Sequence, residues 1–173
     1  VQIGTGDAIY DLPCNEFVAT LMGDPEINMI PGKLTKTADS YTFTMNEGGK
    51  TYTLPADKAP FAKLDEHGKT EYDLAIRPQH LSYSFEPKEG YLKCTVYSYE
   101  SIGNKSVIIA ETGGQQLRML APNGLKVKID QDVYVDLDLT HALFFDAETK
   151  DFVARYNEDA IRAIAEPEEG SEA

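Results

Sequence analysis

The stretch Asp132-Val133-Tyr134-Val135-Asp136-Leu137-Asp138-Leu139 alternates polar and apolar side chains without a break. Successive side chains of a β-strand point to opposite faces, so a period of two predicts a strand with one face in the core and one in water. The acids of this stretch then form the wet face. They lack the loop and the glycine of a calcium-binding hand, which argues against a cation site.

Further short runs with strand character lie on the N-terminal side of this stretch, and turn residues separate them. They cover Leu34–Thr37, Tyr41–Met45, Lys50–Leu54, Tyr72–Ile76, Leu81–Phe85, Tyr91–Tyr99, Ser106–Ala110 and Gln115–Leu120. Many short strands with turns about every ten residues are typical of a small barrel or sandwich. Residues 55–69 are polar and interrupted by Pro and Gly, so we predict a long connection there.

Helical patterns are confined to the two ends of the chain. A strand at Val1–Ile3 and a short helix at Asp7–Asp11 precede a second predicted helix, which is capped by Asn15 and ends at Gly23. Its apolar stripe consists of Phe17, Val18, Leu21 and Met22. We expect this stripe to pack against the barrel or a neighbouring copy. Past Asp151 we predict another helix, followed by an acidic tail.

Composition excludes several classes of function. The net charge is -13, from 16 basic and 29 acidic side chains, which disfavours binding to nucleic acid phosphates. An OB-type strand binder would stack bases on tyrosines, but Tyr41, Tyr52, Tyr91, Tyr97 and Tyr99 have no accompanying basic groove. No apolar run approaches the roughly 18 to 20 residues of a membrane helix, so we expect any membrane contact to go through a partner.

Motifs for catalysis or metal binding are weak. Gly48-Gly49-Lys50-Thr51 looks like the end of a phosphate-binding loop, but the earlier glycine is absent and a strand follows, which indicates a hairpin turn. His67, His80 and His141 lie on separate predicted segments, and no paired cysteine spacing occurs. No Gly-x-Ser-x-Gly elbow is present. We therefore assign no catalytic, cofactor-binding or metal-binding residue.

The first 32 residues resemble the place where the ATPase domain of a maltose-type ABC importer subunit leads into its C-terminal domain. In that family, a strand ending in Gln-Ile-Gly-Thr is followed by Tyr, Pro, Asn, Phe-Val-Ala, Gly and an Asn-apolar-apolar turn. The matching positions are Gln2, Ile3, Gly4, Thr5, Tyr10, Pro13, Asn15, Phe17, Val18, Ala19, Gly23, Pro25 and Asn28. Gly6 and Cys14 replace the usual Pro and Ala.

Three later motifs follow in the order of the same family. Ile76-Arg77-Pro78-Gln79-His80 resembles its Gly-Ile-Arg-Pro-Glu-His, the turn around Gly103 resembles its Leu-Gly-Asn/Ser-Glu, and the run from Asp138 through His141 to Phe145 resembles its closing His-Leu-Phe-Asp. An arginine and a histidine together can hold an anion. The alternative is that Arg77, Pro78, His80, Gly103 and His141 are structural, which we favour.

The resemblance implies a fold and a division of the chain. The fold is mainly β: an OB-like barrel of the TOBE/MOP type, preceded by a strand-helix segment from the ATPase domain and followed by a C-terminal helix. Residues 1–30 would close the ATPase domain, 31–152 would form the barrel, and 153–173 would be a helical extension with an acidic tail. The interface candidates are Phe17, Leu21 and Met22.

The same resemblance implies a role in transport. The full subunit would couple ATP hydrolysis to import of a sugar or related solute, with ATP and Mg²⁺ bound by the domain upstream of Val1, so this chain would not be an enzyme or hold a cofactor. Expected partners are a second copy in a homodimer, membrane-spanning subunits and a regulatory protein, at the cytoplasmic face of the membrane. The alternative is a small-ligand or oxyanion module using Ser101, Asn104, Lys105 and Ser106.

Overall fold

Two antiparallel sheets make up most of the protein, which the computed structural model describes over residues 10–22, 25–56, 60–158 and 161–162. The strand predicted at Val1–Ile3, most of the helix predicted at Asp7–Asp11 and the acidic tail lie outside these residues. The described helices are α1 (Glu16–Leu21) and α2 (Phe61–His67). Single 3₁₀ turns occupy Pro78–His80 and Leu139–His141.

The strands follow one another mostly as hairpins. They are β1 (Asn28–Lys36), β2 (Tyr41–Met45), β3 (Thr51–Thr53), β4 (Glu71–Ile76), β5 (Leu81–Ser84), β6 (Leu92–Ile102), β7 (Lys105–Thr112), β8 (Gln115–Ala121), β9 (Asp132–Leu137), β10 (Leu143–Asp146) and β11 (Phe152–Arg155). A six-stranded sheet has the order β11-β10-β4-β1-β2-β3, and a five-stranded sheet has the order β5-β9-β6-β7-β8. The chain therefore leaves the first sheet after β4 and returns to it at β10.

The alternation of the stretch that begins at Asp132 is confirmed. Val133, Val135 and Leu137 are buried, whereas Asp132 is exposed. These inward side chains join a hydrophobic cluster to which both sheets contribute, including Phe43 and Leu74 of one sheet and Ile108 and Met119 of the other. The mainly β fold with a core between antiparallel strands is thus confirmed.

The connection predicted over residues 55–69 is wrong in its second half, where α2 forms. Leu64 is the buried residue of this helix, and Lys63 and Asp65 on either side of it are exposed or partly exposed. Gly68 ends the helix in the left-handed region, with φ of 68°, and donates its N–H to the carbonyl of Leu64. One buried residue in a seven-residue helix leaves too little periodicity to detect.

The helix predicted from Val153 is also wrong at its start, because Phe152–Arg155 is the edge strand β11. Its partner β10 was not predicted as a strand either. All four residues of β10 are buried, so the strand shows no alternation. Helical backbone recurs at Glu158, Ile161 and Arg162.

The proposed division at residues 30 and 152 remains a prediction. β1 begins at Asn28 and β11 runs to Arg155, so both boundaries fall inside paired strands. Among the described residues, no helix has the length and apolar character needed to cross a membrane.

Candidate functional site

The Arg77-Pro78-Gln79-His80 motif lies where the chain passes from one sheet to the other. β4 ends at Ile76, Pro78 opens a 3₁₀ turn, and β5 begins at Leu81. Proline suits the first position of such a turn because its missing N–H would have no partner there. Arg77 and Pro78 are buried, whereas Gln79 is exposed. The motif therefore aims the arginine inward at the junction of the sheets.

The Arg77 guanidinium binds the backbone of the segment that contains α1. Its Nη1 donates to the carbonyls of Ala19, at 3.1 Å, and Met22, and its Nη2 donates to the carbonyl of Tyr10 at 3.1 Å. The guanidinium carbon also lies 4.0 Å from the centroid of the Tyr10 ring, a cation-π arrangement. We define residues 10–22 as the docked segment, because this arginine holds both of its ends.

Burial lowers the pKa of Arg77 below its ordinary value, and nearby Tyr10 and Asp11 act in the opposite direction. A buried charge needs polar partners, and here carbonyl oxygens serve as those partners. Hydrogen bonds occupy both terminal nitrogens of Arg77, and its Nε is buried without a hydrogen-bond partner among the described residues. The observed arrangement therefore positions the docked segment.

A second buried arginine, which the sequence analysis missed, reinforces this contact. Arg155 of β11 is 9% exposed and donates from Nη1 to the carbonyl of Asp11 at 2.7 Å. Its Nε donates to the carbonyl of Tyr156 at 3.1 Å. The sequence feature that could have identified Arg155 is a basic residue at the end of an apolar run. The two arginines reach the docked segment from the neighbouring ends of β4 and β11.

His80 and His141 stack on each other. Their ring centroids are 3.7 Å apart and the rings are inclined by 2°. Each histidine is the last residue of a 3₁₀ turn that carries the chain between the sheets, and the N–H of Asp138 donates to the carbonyl of His80 at 3.0 Å. Burial, then the neighbouring His141, lowers the pKa of His80. The structure thus joins two motifs that are far apart in sequence.

Gly103 lies elsewhere, in the hairpin turn between β6 and β7, with φ of 62°. A glycine suits this turn because the backbone is left-handed there. Of the alternative oxyanion set, Ser106 is buried and its hydroxyl lies 2.5 Å from Oδ1 of Asn123 and 3.4 Å from the hydroxyl of Ser101. The buried hydroxyl is therefore engaged within the protein.

The predicted apolar stripe of α1 is only partly buried. Asn15 caps the helix as predicted, since its Oδ1 accepts from the N–H of Val18 at 2.9 Å. Of this stripe, Val18 is half-buried, whereas Phe17 and Leu21 are 70% and 66% exposed; the buried residue of the helix is Ala19, which the predicted stripe did not include. The expected packing of Phe17 and Leu21 against the barrel is therefore wrong. Contact with another copy remains a prediction, and Met22 is half-buried beside them.

Two clusters of charged side chains also escaped the sequence analysis. In the first, the buried Asp73 of β4 accepts from Lys150 Nζ at 2.7 Å, and Glu16 of α1 lies against the same carboxyl group. Burial and Asp73 raise the pKa of Glu16 to about 8. Glu16, Asp73 and Lys150 are widely separated along the chain, so no local sequence motif links them.

The second cluster surrounds Asp146 at the end of β10. Its carboxylate accepts from Lys69 Nζ at 2.7 Å, lies 2.9 Å from His67 Nε2, and accepts from the backbone N–H groups of Glu148 and Thr149. These hydrogen bonds, that from Lys69 first, hold the pKa of Asp146 well below its usual range. Within the described ranges, no group of three or more His, Cys, Asp or Glu side chains could hold a metal ion.

Comparison with known proteins matches residues 74–145 to the TOBE domain. The chain is 27% identical over 148 residues to the sn-glycerol-3-phosphate import ATP-binding protein UgpC of Burkholderia mallei, covering 86% of this chain and 39% of that protein. It is 23% identical over 155 residues to the uncharacterized ABC transporter ATP-binding protein YurJ of Bacillus subtilis, covering 88% of this chain and 42% of that protein. The chain thus spans about two fifths of these relatives.

A solved structure of the cytoplasmic molybdate-binding protein ModG has a related fold. The TM-score is 0.52 at 9% sequence identity, over 68% of this chain and 94% of that one. At this identity the likeness concerns the fold alone, and it supports the OB-like arrangement of the strands. The TOBE match runs from β4 through the five-stranded sheet to β10. Residues 74–145 therefore match the TOBE domain, within a chain that is similar over most of its length to ATP-binding proteins of ABC transporters.

Proposed function

We propose that this chain is the regulatory and dimerisation region of the ATP-binding subunit of an ABC importer. The observation that carries the proposal is the anchored helix α1. Arg77 and Arg155 fix the docked segment to the TOBE domain, while Phe17 and Leu21 point outward from it. A fixed helix with exposed apolar side chains fits a contact with another part of the subunit or a second copy.

In this proposal, the whole subunit hydrolyses ATP with Mg²⁺ in a domain that precedes this chain. It acts at the cytoplasmic face of the membrane together with membrane-spanning subunits that carry a sugar or related solute. The chain itself contributes no catalytic group and binds neither nucleotide nor nucleic acid. Its arginine and histidine motifs, including Arg77, Pro78, His80 and His141, keep the sheets and the docked segment in a fixed arrangement.

The test uses the longer subunit, in which Phe17→Ser and Leu21→Ser are combined. We expect the substituted protein to fold, and we expect sedimentation to show a weaker dimer and ATPase assays to show altered rates. The control is Tyr97→Ser, since Tyr97 is also an exposed aromatic side chain, at 57%, but belongs to β6 of the five-stranded sheet, whereas the segment containing α1 is bonded to the β10–β11 hairpin of the six-stranded sheet. A monomer at high concentration in the unsubstituted subunit would count against dimerisation.

The alternative function is an oxyanion-binding module, which the likeness in fold to a molybdate-binding protein favours. Ser101, Asn104, Lys105 and Ser106 lie in one hairpin and would supply hydroxyl, amide and ammonium groups. The net charge of -13 opposes the capture of an anion. Calorimetry with molybdate and sulfate separates the two functions: we expect no binding heat, and saturable heat that Lys105→Met abolishes would favour the module.

A further inference from the structure

The docked segment is attached to the six-stranded sheet through the hairpin between β10 and β11. The N–H of Glu16 donates to the carbonyl of Lys150 at 3.0 Å, and the N–H of Phe152 donates to the carbonyl of Cys14 at 2.9 Å. Asn15 and Asp151 form an antiparallel bridge between these bonds. The backbone of the segment is therefore joined to this hairpin on both sides of Asn15, and Glu16 is bonded directly to the backbone of Lys150.

The side chain of Glu16 interacts with the carboxyl group of Asp73. Asp73 is 3% exposed on β4, and the Glu16 carboxyl lies within hydrogen-bonding reach of it. One carboxyl oxygen of Glu16, Oε1, is buried and has no hydrogen-bond partner among the described residues. Because ionised carboxylates are acceptors only, two of them can share a hydrogen bond only if one carries a proton.

The nearby positive charge is too small to balance both groups. Lys150 Nζ lies 2.7 Å from Asp73 Oδ2, and its side chain is 52% exposed. Asp146 also acts on Lys150, although Asp146 is itself bound by Lys69 and His67. One lysine therefore faces the carboxyl groups of Glu16 and Asp73, and the second negative charge would be uncompensated at a partly buried site.

We propose that Glu16, Asp73 and Lys150 form a proton-dependent latch, in which one proton shared by the two carboxyl groups holds α1 on the sheet. Loss of that proton to a base in solution leaves two adjacent carboxylates and favours release of the docked segment. The rise in the pKa of Glu16 to about 8, caused first by burial and then by Asp73, agrees with this geometry.

The sign of the pH dependence follows from linkage. The pKa of Glu16 is raised in the docked state above its ordinary value of 4.5, so the docked state retains a proton that the released state loses. The stabilisation is fully present below about pH 4.5 and is progressively lost as the pH rises to about 8. Above that pH both states are ionised, and no further loss occurs.

The test is amide hydrogen exchange of the whole chain, corrected for the intrinsic base catalysis of exchange. The Ala19 N–H, which donates to the carbonyl of Asn15 at 3.1 Å, reports the opening of α1. We expect its protection to fall between pH 5 and 8, by at most about tenfold per pH unit, and then to level off. In Glu16→Gln, whose amide can still donate to Asp73, protection should be independent of pH. Glu26→Gln is the control, since Glu26 is exposed, and it should behave like the unsubstituted protein.

A second measurement does not depend on any substitution. Carbon-13 NMR of the Glu16 side-chain carboxyl should show a titration midpoint well above that of an exposed glutamate. A midpoint below pH 6 overturns the proposal. Protection of Ala19 that is independent of pH in the unsubstituted protein, or an equal decline in Glu16→Gln, overturns it as well.

Discussion

Replacing Arg77 by methionine tests whether one side chain holds the docked segment. Methionine retains much of the apolar stem but removes the donors to the carbonyls of Tyr10, Ala19 and Met22. A hydrogen bond from a charged donor contributes about 1.5–3 kcal/mol, and a cation-π contact about 0.5–2 kcal/mol. The released carbonyls regain water when the segment detaches, so these terms do not sum fully. We expect a loss of about 3–5 kcal/mol of docking free energy, which is less than the full sum of three such hydrogen bonds and one cation-π contact.

Hydrogen exchange of α1 measures this loss directly, and urea unfolding measures how much of it reaches the whole chain. A change of about 3 kcal/mol or more lowers the protection of the Ala19 amide at least about a hundredfold, because about 1.4 kcal/mol corresponds to a factor of ten. The five-stranded sheet should keep its protection, because none of the Arg77 acceptors lies in it. In Arg77→Lys, the protection of the Ala19 amide should lie between that of the unsubstituted protein and that of Arg77→Met, because one ammonium group cannot bind all these carbonyls.

The control for the loss of a charge is Arg118→Met. Arg118 contacts Asn28 through its backbone N–H and carbonyl, and its side chain makes no hydrogen bond or ion pair with the described part of the chain. This variant should leave the protection of α1 unchanged. A decrease of less than about fivefold in Arg77→Met, or equal decreases in both variants, would refute the role of Arg77 as the anchor of the docked segment.

Other substitutions probe the sheets and their charges. A Cβ on Gly32 would overlap the Phe43 ring and lie 2.5 Å from the Thr44 carbonyl oxygen, so Gly32→Ala should reduce the free energy of unfolding by about 1–3 kcal/mol in urea titrations. The pKa of Asp146 is lowered in the folded protein, so its ionised carboxylate stabilises the fold above pH 3.8 and this stabilisation is lost in acid. The destabilisation caused by Asp146→Asn, measured in thermal scans, should therefore be smaller at pH 3 than at pH 7. Burial raises the pKa of Cys94 to about 12, so its alkylation at pH 8 should be slow until denaturant is added, as mass spectrometry can show.

Strands with one wet face could be predicted from the sequence. The alternation around β9, and turn residues such as Gly48 and Gly49, both at positive φ, mark where strands run and reverse. Asn15 likewise predicts the start of α1 because its side chain accepts a helix N–H group. In each case the signal is local, so the residues that carry it are close together in the sequence.

Elements whose environment is set by distant residues could not be predicted in this way. β10 is buried on both faces and shows no period, and the strand nature of β11 depends on its pairing with β10. Lys150 and Asp73 are 77 positions apart, and the sequence around neither residue indicates that the two side chains are paired. The family resemblance located Arg77, but the identity of its acceptors depends on how the docked segment lies across the sheet ends.

The order in which the strands are joined has a consequence for synthesis of the protein. β5 to β9 pair within residues 81–137, so the five-stranded sheet can assemble as soon as that part of the chain has emerged. β4 pairs with β1 on one side but receives β10 on the other, as in the pairing of Ala75 with Leu143.

Until β10 is made, β4 of the nascent chain therefore has one unpaired edge. Five of the six residues of β4 are buried in the finished protein, so this open edge is apolar. Open apolar edges recruit strands from other chains, and long-range pairings form slowly. Arrival of β10 closes that edge, and the hairpin to β11 then supplies the Asp151 backbone that receives Asn15. β10 and β11, which follow the other described strands in the chain, thus cover this edge against pairing with other chains and also create the surface on which the docked segment settles.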